Sequence, residues 1–172
     1  MHPVACRSLL FLVLAVAAAS LAACDGSDGD EPAAAGDLGS LVASVGDLSI
    51  YAAALPAPPA DVAAVYFAVV NGGEEDDTLV SVSAAIAGQV MLHETVVEGD
   101  SSRMTHLEDG IPIPAGSTVR LEPGGLHVML MGLSDRPVEG ELVAVTLHFE
   151  RAGEVAIEVP VVPYSEVESS GE

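Results

Sequence analysis

The residues that can do chemistry are bunched. Apart from the initiator, every methionine falls between residues 91 and 131: Met91, Met104, Met129 and Met131. Three of the five histidines, His93, His106 and His127, share that stretch, and after the first two dozen residues only His148 lies elsewhere. Thioether sulfur is a soft ligand and imidazole a borderline one, a combination that suits Cu(I). Methionine as ordinary gap-filling core is the plainer explanation. It leaves unexplained why a chain rich in valine and alanine uses methionine only here.

Spacing narrows the set. Ten residues separate His93 from Met104, twenty-two separate Met104 from His127, and one separates His127 from Met129. Residues two apart on a strand share a face. His127 and Met129 therefore point the same way, with Met131 further along, while Leu126, Val128 and Leu130 take the core side. Met104 and His106 share a face in the same manner, as do Met91 and His93. His106, Met131 and Met91 are accessory ligand candidates or shields of the site.

The pattern His-x10-Met-x21/22-His-x-Met resembles that of the periplasmic copper chaperones called PCu(A)C. The flanking phrases also match: HET at 93–95, GIPIPAGSTV at 110–119, LEPGGLHVMLMGL at 121–133 and FERAGEV at 149–155. The resemblance runs from about Leu48 to Val162. It implies that His93, Met104, His127 and Met129 hold copper, with histidine at 106 a departure where a second methionine is common. It also implies a cupredoxin-like Greek-key β-sandwich or barrel, and copper capture outside the cytoplasm. Delivery would be to the binuclear copper centre of cytochrome c oxidase, either directly to the oxidase subunit or through a thiol-bearing chaperone. A copper-buffering or resistance role with no dedicated client fits the same four ligands.

The ligand set is neutral, so bound Cu(I) leaves the site at +1; Cu(II) is the second candidate ion. A blue-copper electron-transfer site needs a Cys thiolate with two His, and the only cysteines are Cys6 and Cys24, outside the domain. Nothing in the sequence reads as an enzyme: no phosphate loop appears, nor any acid–His–nucleophile motif.

Positioning elements follow from the rest of the chain. Residues 1–23 read as a lipoprotein signal peptide: Arg7, an apolar run from Leu9 to Ala19 too short for a confident membrane span, then Leu21-Ala22-Ala23-Cys24. Cys24 is the expected lipidation site and leaves no partner for a disulfide. Residues 24–41 read as the lipidated cysteine and a flexible acidic linker, reaching up to roughly 50 Å when extended. The domain is expected over 42–163, with an acidic tail at 164–172. Within it, short β-like runs alternate with Gly/Pro turns at 45–54, 62–71, 78–86, 88–96, 102–108, 117–122, 126–132, 141–151 and 154–162. That is an all-β, antiparallel pattern.

The chain has 172 residues, enough for one domain with a core. Residues 24–172 hold all 26 acidic residues and four of the five basic ones, a net charge of −22, with no lysine. Such a surface repels nucleic acid and attracts cations without selectivity. Gly73-Glu74-Glu75-Asp76-Asp77 lacks the alternating acids of a calcium loop and reads as a charged turn. The expected protein is a monomer anchored by lipid to the extracytoplasmic face of a bacterial membrane.

Overall fold

The computed structural model describes residues 38–99 and 101–168. The signal peptide, Cys24, most of the linker and residues 169–172 lie outside the described residues. Eleven strands account for nearly all the regular structure: β1 (Leu41–Val45), β2 (Leu48–Pro56), β3 (Val62–Asn71), β4 (Asp77–Ser83), β5 (Ala87–Glu98), β6 (Ser101–His106), β7 (Ile111–Ile113), β8 (Thr118–Leu121), β9 (Leu126–Leu133), β10 (Leu142–Phe149) and β11 (Gly153–Val162). One helical turn, α1 (Tyr164–Glu168), follows. No helix among the described residues is long and apolar enough to cross a membrane.

The strands run in the order β6-β5-β9-β8-β3-β2-β11-β10-β4-β7, with β1 paired to β2. Most pairings are antiparallel, as the strand pattern implies, and two, β11 with β2 and β8 with β9, are parallel. Alternating apolar residues from both ends of this path meet in one core. Val65, Phe67, Leu92, Val128 and Leu130 come from the β5-β9-β3 side, and Leu79, Val145, Leu147, Phe149 and Ile157 from the β4-β10-β11 side. Val128 and Leu130 are fully buried, which leaves the alternate residues of β9 for the other face.

Four stretches differ from the sequence reading. The run 45–54 is two strands, because Gly46 at φ +56° lets the chain reverse over Gly46-Asp47 and pair Val45 with Leu48. Leu38 is buried and the Ser40 carbonyl accepts from the Ala52 N–H, so residues 38–41, assigned to the linker, belong to the domain. Pro112 and Pro114 read as turn signals, yet Pro112 lies in β7. There it faces Thr78 at the end of the strand path, where a missing N–H breaks no inner ladder. At the other end, Tyr164–Glu168 forms a helical turn where an acidic tail is expected.

Candidate metal centre

Register brings the histidines into a line. His93 on β5 stands directly opposite His106 on β6 and directly opposite His127 on β9. Its ring centre lies 5.6 Å from that of His106 and 5.8 Å from that of His127, both nearly edge-on. The next line toward the start of β5 carries Met91 opposite Met129, and Met129 opposite Ala64 of β3. The line on the other side carries Thr95 opposite Met104. Met104 and Met129 are thus the diagonal neighbours of His93, within reach of long side chains.

A cavity of about 270 Å³ opens beside this face, and Met104, His127 and Met129 all line it. Its remaining wall includes Pro56, Pro58, Pro59, Tyr66 and Tyr164. His106 is exposed and Met104 is 56% exposed, whereas His127 is 6% exposed. The two halves of the site therefore differ in access: β9 holds the sheltered donors and β6 the open ones.

Two details prepare the imidazoles for a metal. The Gly125 carbonyl lies 3.1 Å from His127 Nδ1. A carbonyl only accepts, so Nδ1 carries the proton and Nε2 presents its lone pair, the arrangement common in metal-binding histidines. The same carbonyl accepts the Thr95 N–H at 3.0 Å, tying β5 to the turn before β9. His93 Nδ1 is buried with no hydrogen-bond partner. A buried, unpaired nitrogen is unfavourable unless something else bonds it, and a metal ion would answer that need. Burial, then the neighbouring His127 and His106, holds His93 below the ordinary histidine pKa and keeps it neutral, the form that ligates. Burial and Tyr164 raise the Tyr66 phenol, whose ring tilts against His127 with 6.4 Å between centres.

His106 and His127 lie two strands apart, roughly 10 Å between backbones. Among the described residues no three of His, Cys, Asp and Glu converge with metal-binding spacing. A four-donor site on this face therefore needs the thioethers. Met131 faces Gln89 and Val62, four residues beyond His127 and roughly 13 Å along the strand, and does not converge. Met91, beside Met129, lies closer.

Sequence reasoning missed the supporting wall. Pro56 to Pro59 read only as a turn, Tyr164 as tail, and the Gly124-Gly125 turn carried no hint that its carbonyl would orient His127. His148, read as packed or surface, contacts Ser83 Oγ through Nε2 and Glu154 through Nδ1, each at 3.1 Å. Ser83 and Glu154 are exposed, and the three lie side by side on neighbouring strands, which is ordinary cross-strand pairing.

Residues 44–161 match the family described as "Putative lipoprotein LpqE-like". The chain belongs to the LpqE-like family. A curated relative, "Putative lipoprotein Lxx21020" of Leifsonia xyli subsp. xyli, is 38% identical over 97 residues. Those cover 56% of this chain, and the chain spans 58% of that relative's length. Among solved structures, the copper-bound PCuAC domain from PmoF2 is 32% identical with a TM-score of 0.61, covering 72% of this LpqE-like chain and 99% of the domain. The solution structure of Cu(I)-DR1885 from Deinococcus radiodurans is 27% identical with a TM-score of 0.56, covering 72% and 81%. The LpqE-like domain is a PCuAC-type, cupredoxin-like β-sandwich.

Proposed function

We propose that this LpqE-like protein is an extracytoplasmic Cu(I) carrier, with His93, Met104, His127 and Met129 as its ligands. The observation that carries the reading is the meeting of thioether sulfur and imidazole nitrogen on one face. Met104, His127 and Met129 line one cavity, and His93, with its buried unpaired nitrogen, stands against His127. Two neutral imidazoles and two thioethers favour Cu(I) over harder ions. Without a thiolate, the site has no thiol to lose to oxidation outside the cytoplasm. The PmoF2 domain and DR1885, both described with copper, support the same cargo for this chain.

Copper is cargo here, so the partner is a copper acceptor: an oxidase subunit, or a thiol chaperone on the way to one. Exposure of Met104 and His106 supports an exit on the hairpin β5–β6. Lipid on Cys24 would hold the monomer to a membrane, in keeping with the lipoprotein descriptions of its family and relative. Two acyl chains suffice for stable anchoring where one does not.

Transfer tests the function. Cu(I)-loaded protein is mixed with the apo copper-accepting domain of an oxidase subunit, the two proteins are separated, and copper bound to the acceptor is measured. It should appear with loaded wild type and stay absent with Met104→Leu/Met129→Leu protein. Tight Cu(I) binding without transfer to the oxidase domain or a thiol chaperone would instead favour a buffering role. Release into the membrane-free fraction by Cys24→Ser tests the anchor.

A further inference from the structure

His93 has two imidazole neighbours, one sheltered and one open. A first-row metal bound to imidazole sits about 2 Å from the nitrogen, so two rings sharing an ion have centres roughly 4.5–6 Å apart. The His93–His127 pair at 5.8 Å and the His93–His106 pair at 5.6 Å both fall in that range. His106 and His127 do not, being two strands apart. The thioethers are not shared evenly: Met129 lies on β9 beside His127, and it lines the cavity with Met104 and His127. His106 does not line that cavity and is solvent-exposed on the last residue of β6, an edge strand.

We infer that His93 and His106 form a second, outer copper position that takes Cu(II), alternative to the inner position because both use His93. This deepens the proposed carrier role and rests on it for the inner position only. The chemistry separates the two. Cu(II) prefers nitrogen and oxygen in a tetragonal array. A cross-strand imidazole pair at an open edge supplies two nitrogens and leaves the other positions to water. The inner position adds the half-buried Met129 thioether beside the buried His127, which suits Cu(I). One shared imidazole means one copper per chain, whichever ion is offered.

The test uses the full purified chain with one equivalent of copper and reads each ion separately. Cu(II) is read by affinity and by the nitrogen hyperfine pattern in its paramagnetic resonance spectrum, Cu(I) by competition with a chelator. His106→Gln should weaken Cu(II) by about tenfold or more, the scale on which even groups one step from a metal matter, and reduce two coupled imidazoles to one. It should change Cu(I) affinity by less than about threefold. His127→Gln should do the reverse, and His93→Gln should weaken both ions. Unfolding curves of the apo variants control for folding; His106 is exposed, so its variant should match wild type. An unchanged Cu(II) spectrum in His106→Gln overturns the outer position. So does a Cu(I) loss in that variant equal to the loss in His127→Gln. If wild type fails to hold Cu(I) while the Cu(II) pattern behaves as stated, the carrier reading falls and the outer position stands.

Discussion

Two places in this domain bury polar atoms, and they differ in how completely those atoms are paired. At the turn from Asn71 to Asp77, every buried polar group is answered. Asn71 donates to the Glu75 and Ile113 carbonyls at 2.9 and 3.0 Å and accepts the Gly73 N–H at 3.0 Å. Asp77 accepts from the N–H groups of Thr78, Arg151 and Ala152 at 2.7, 3.0 and 2.9 Å. On the β5–β9 face, His93 Nδ1 is buried and answered by nothing in the protein. The first arrangement is architecture: it joins β3, β4 and β7 to the turn between β10 and β11. The second leaves one imidazole nitrogen for a bond from outside the protein. Satisfaction of buried polar atoms, more than their burial, separates scaffold from site.

The largest effect should come from breaking the scaffold side. Asp77→Ala leaves three N–H groups without their carboxylate, each costing on the order of 1–3 kcal/mol when buried. A loss of about 3 kcal/mol or more is expected, read from denaturant midpoints of the apo protein. Asp77→Asn keeps one acceptor oxygen and should fall between. Copper affinity of the folded fraction should not move. A loss for Asp77→Ala under about 0.5 kcal/mol, the range of a neutral surface change, would mean water replaces the carboxylate, and the comparison would lose its first half.

The site side should respond with the opposite sign. His93→Leu removes a buried, unpaired nitrogen from the site face of β5 and leaves the core residue Leu92 on the other face untouched. Apo stability should hold or rise by up to about 1 kcal/mol, while copper binding weakens by at least about tenfold. A clear destabilisation of the apo protein would show that His93 has a partner in solution and is part of the scaffold after all.

Acid sharpens the same contrast. The folded pKa of His93 is lowered from 6.5 by burial and by its histidine neighbours. Between the folded value and 6.5 the unfolded chain binds more protons, so stability falls as pH drops through that window and levels off below it. The apo unfolding midpoint should decline as pH passes below about 6.5, and His93→Leu should flatten that slope. Copper binding should hold down to about pH 6 and then weaken as protons compete for imidazole. An identical slope in wild type and His93→Leu would assign the acid sensitivity elsewhere.

How much of this was legible in the sequence depended on whether the signal was local. The strand 62–71 and the run 126–132 stand out because alternation is a local pattern, and β3 and β9 follow it closely. The candidate donors were legible from residue type and spacing. Their convergence was not, because it depends on register: that His93 falls opposite both His106 and His127 is a property of two pairings, not of either strand. The parallel pairings were hidden for the same reason. Strand β7 was hidden by its prolines, although Ile111 and Ile113 on either side of Pro112 are buried. The His127 tautomer rests on a single glycine carbonyl, which no side-chain pattern announces.

The smallest effect is expected at a contact that looks strong. Next to the Asp77 network, the Arg151 guanidinium pairs with the Glu75 carboxylate, and its hydrogen bond, then its charge, hold Glu75 below its usual range. Such a shift makes the pair favourable above the usual glutamate range and lost as pH falls through the lowered value. Both side chains are open to water, however, where salt screens the charges and holding two long side chains in one geometry offsets most of the attraction. Arg151 thus makes two contacts of very different weight. Its backbone N–H serves the buried Asp77 carboxylate, and its side chain serves an exposed partner. Arg151→Ala keeps the first and deletes the second. Its unfolding midpoint at physiological salt should lie within error of wild type, as should that of Glu75→Gln, while Asp77→Ala lies far below both. If Arg151→Ala approached Asp77→Ala, the guanidinium would be part of the buried network, and the scaffold would depend on charge rather than on the three N–H groups that Asp77 collects.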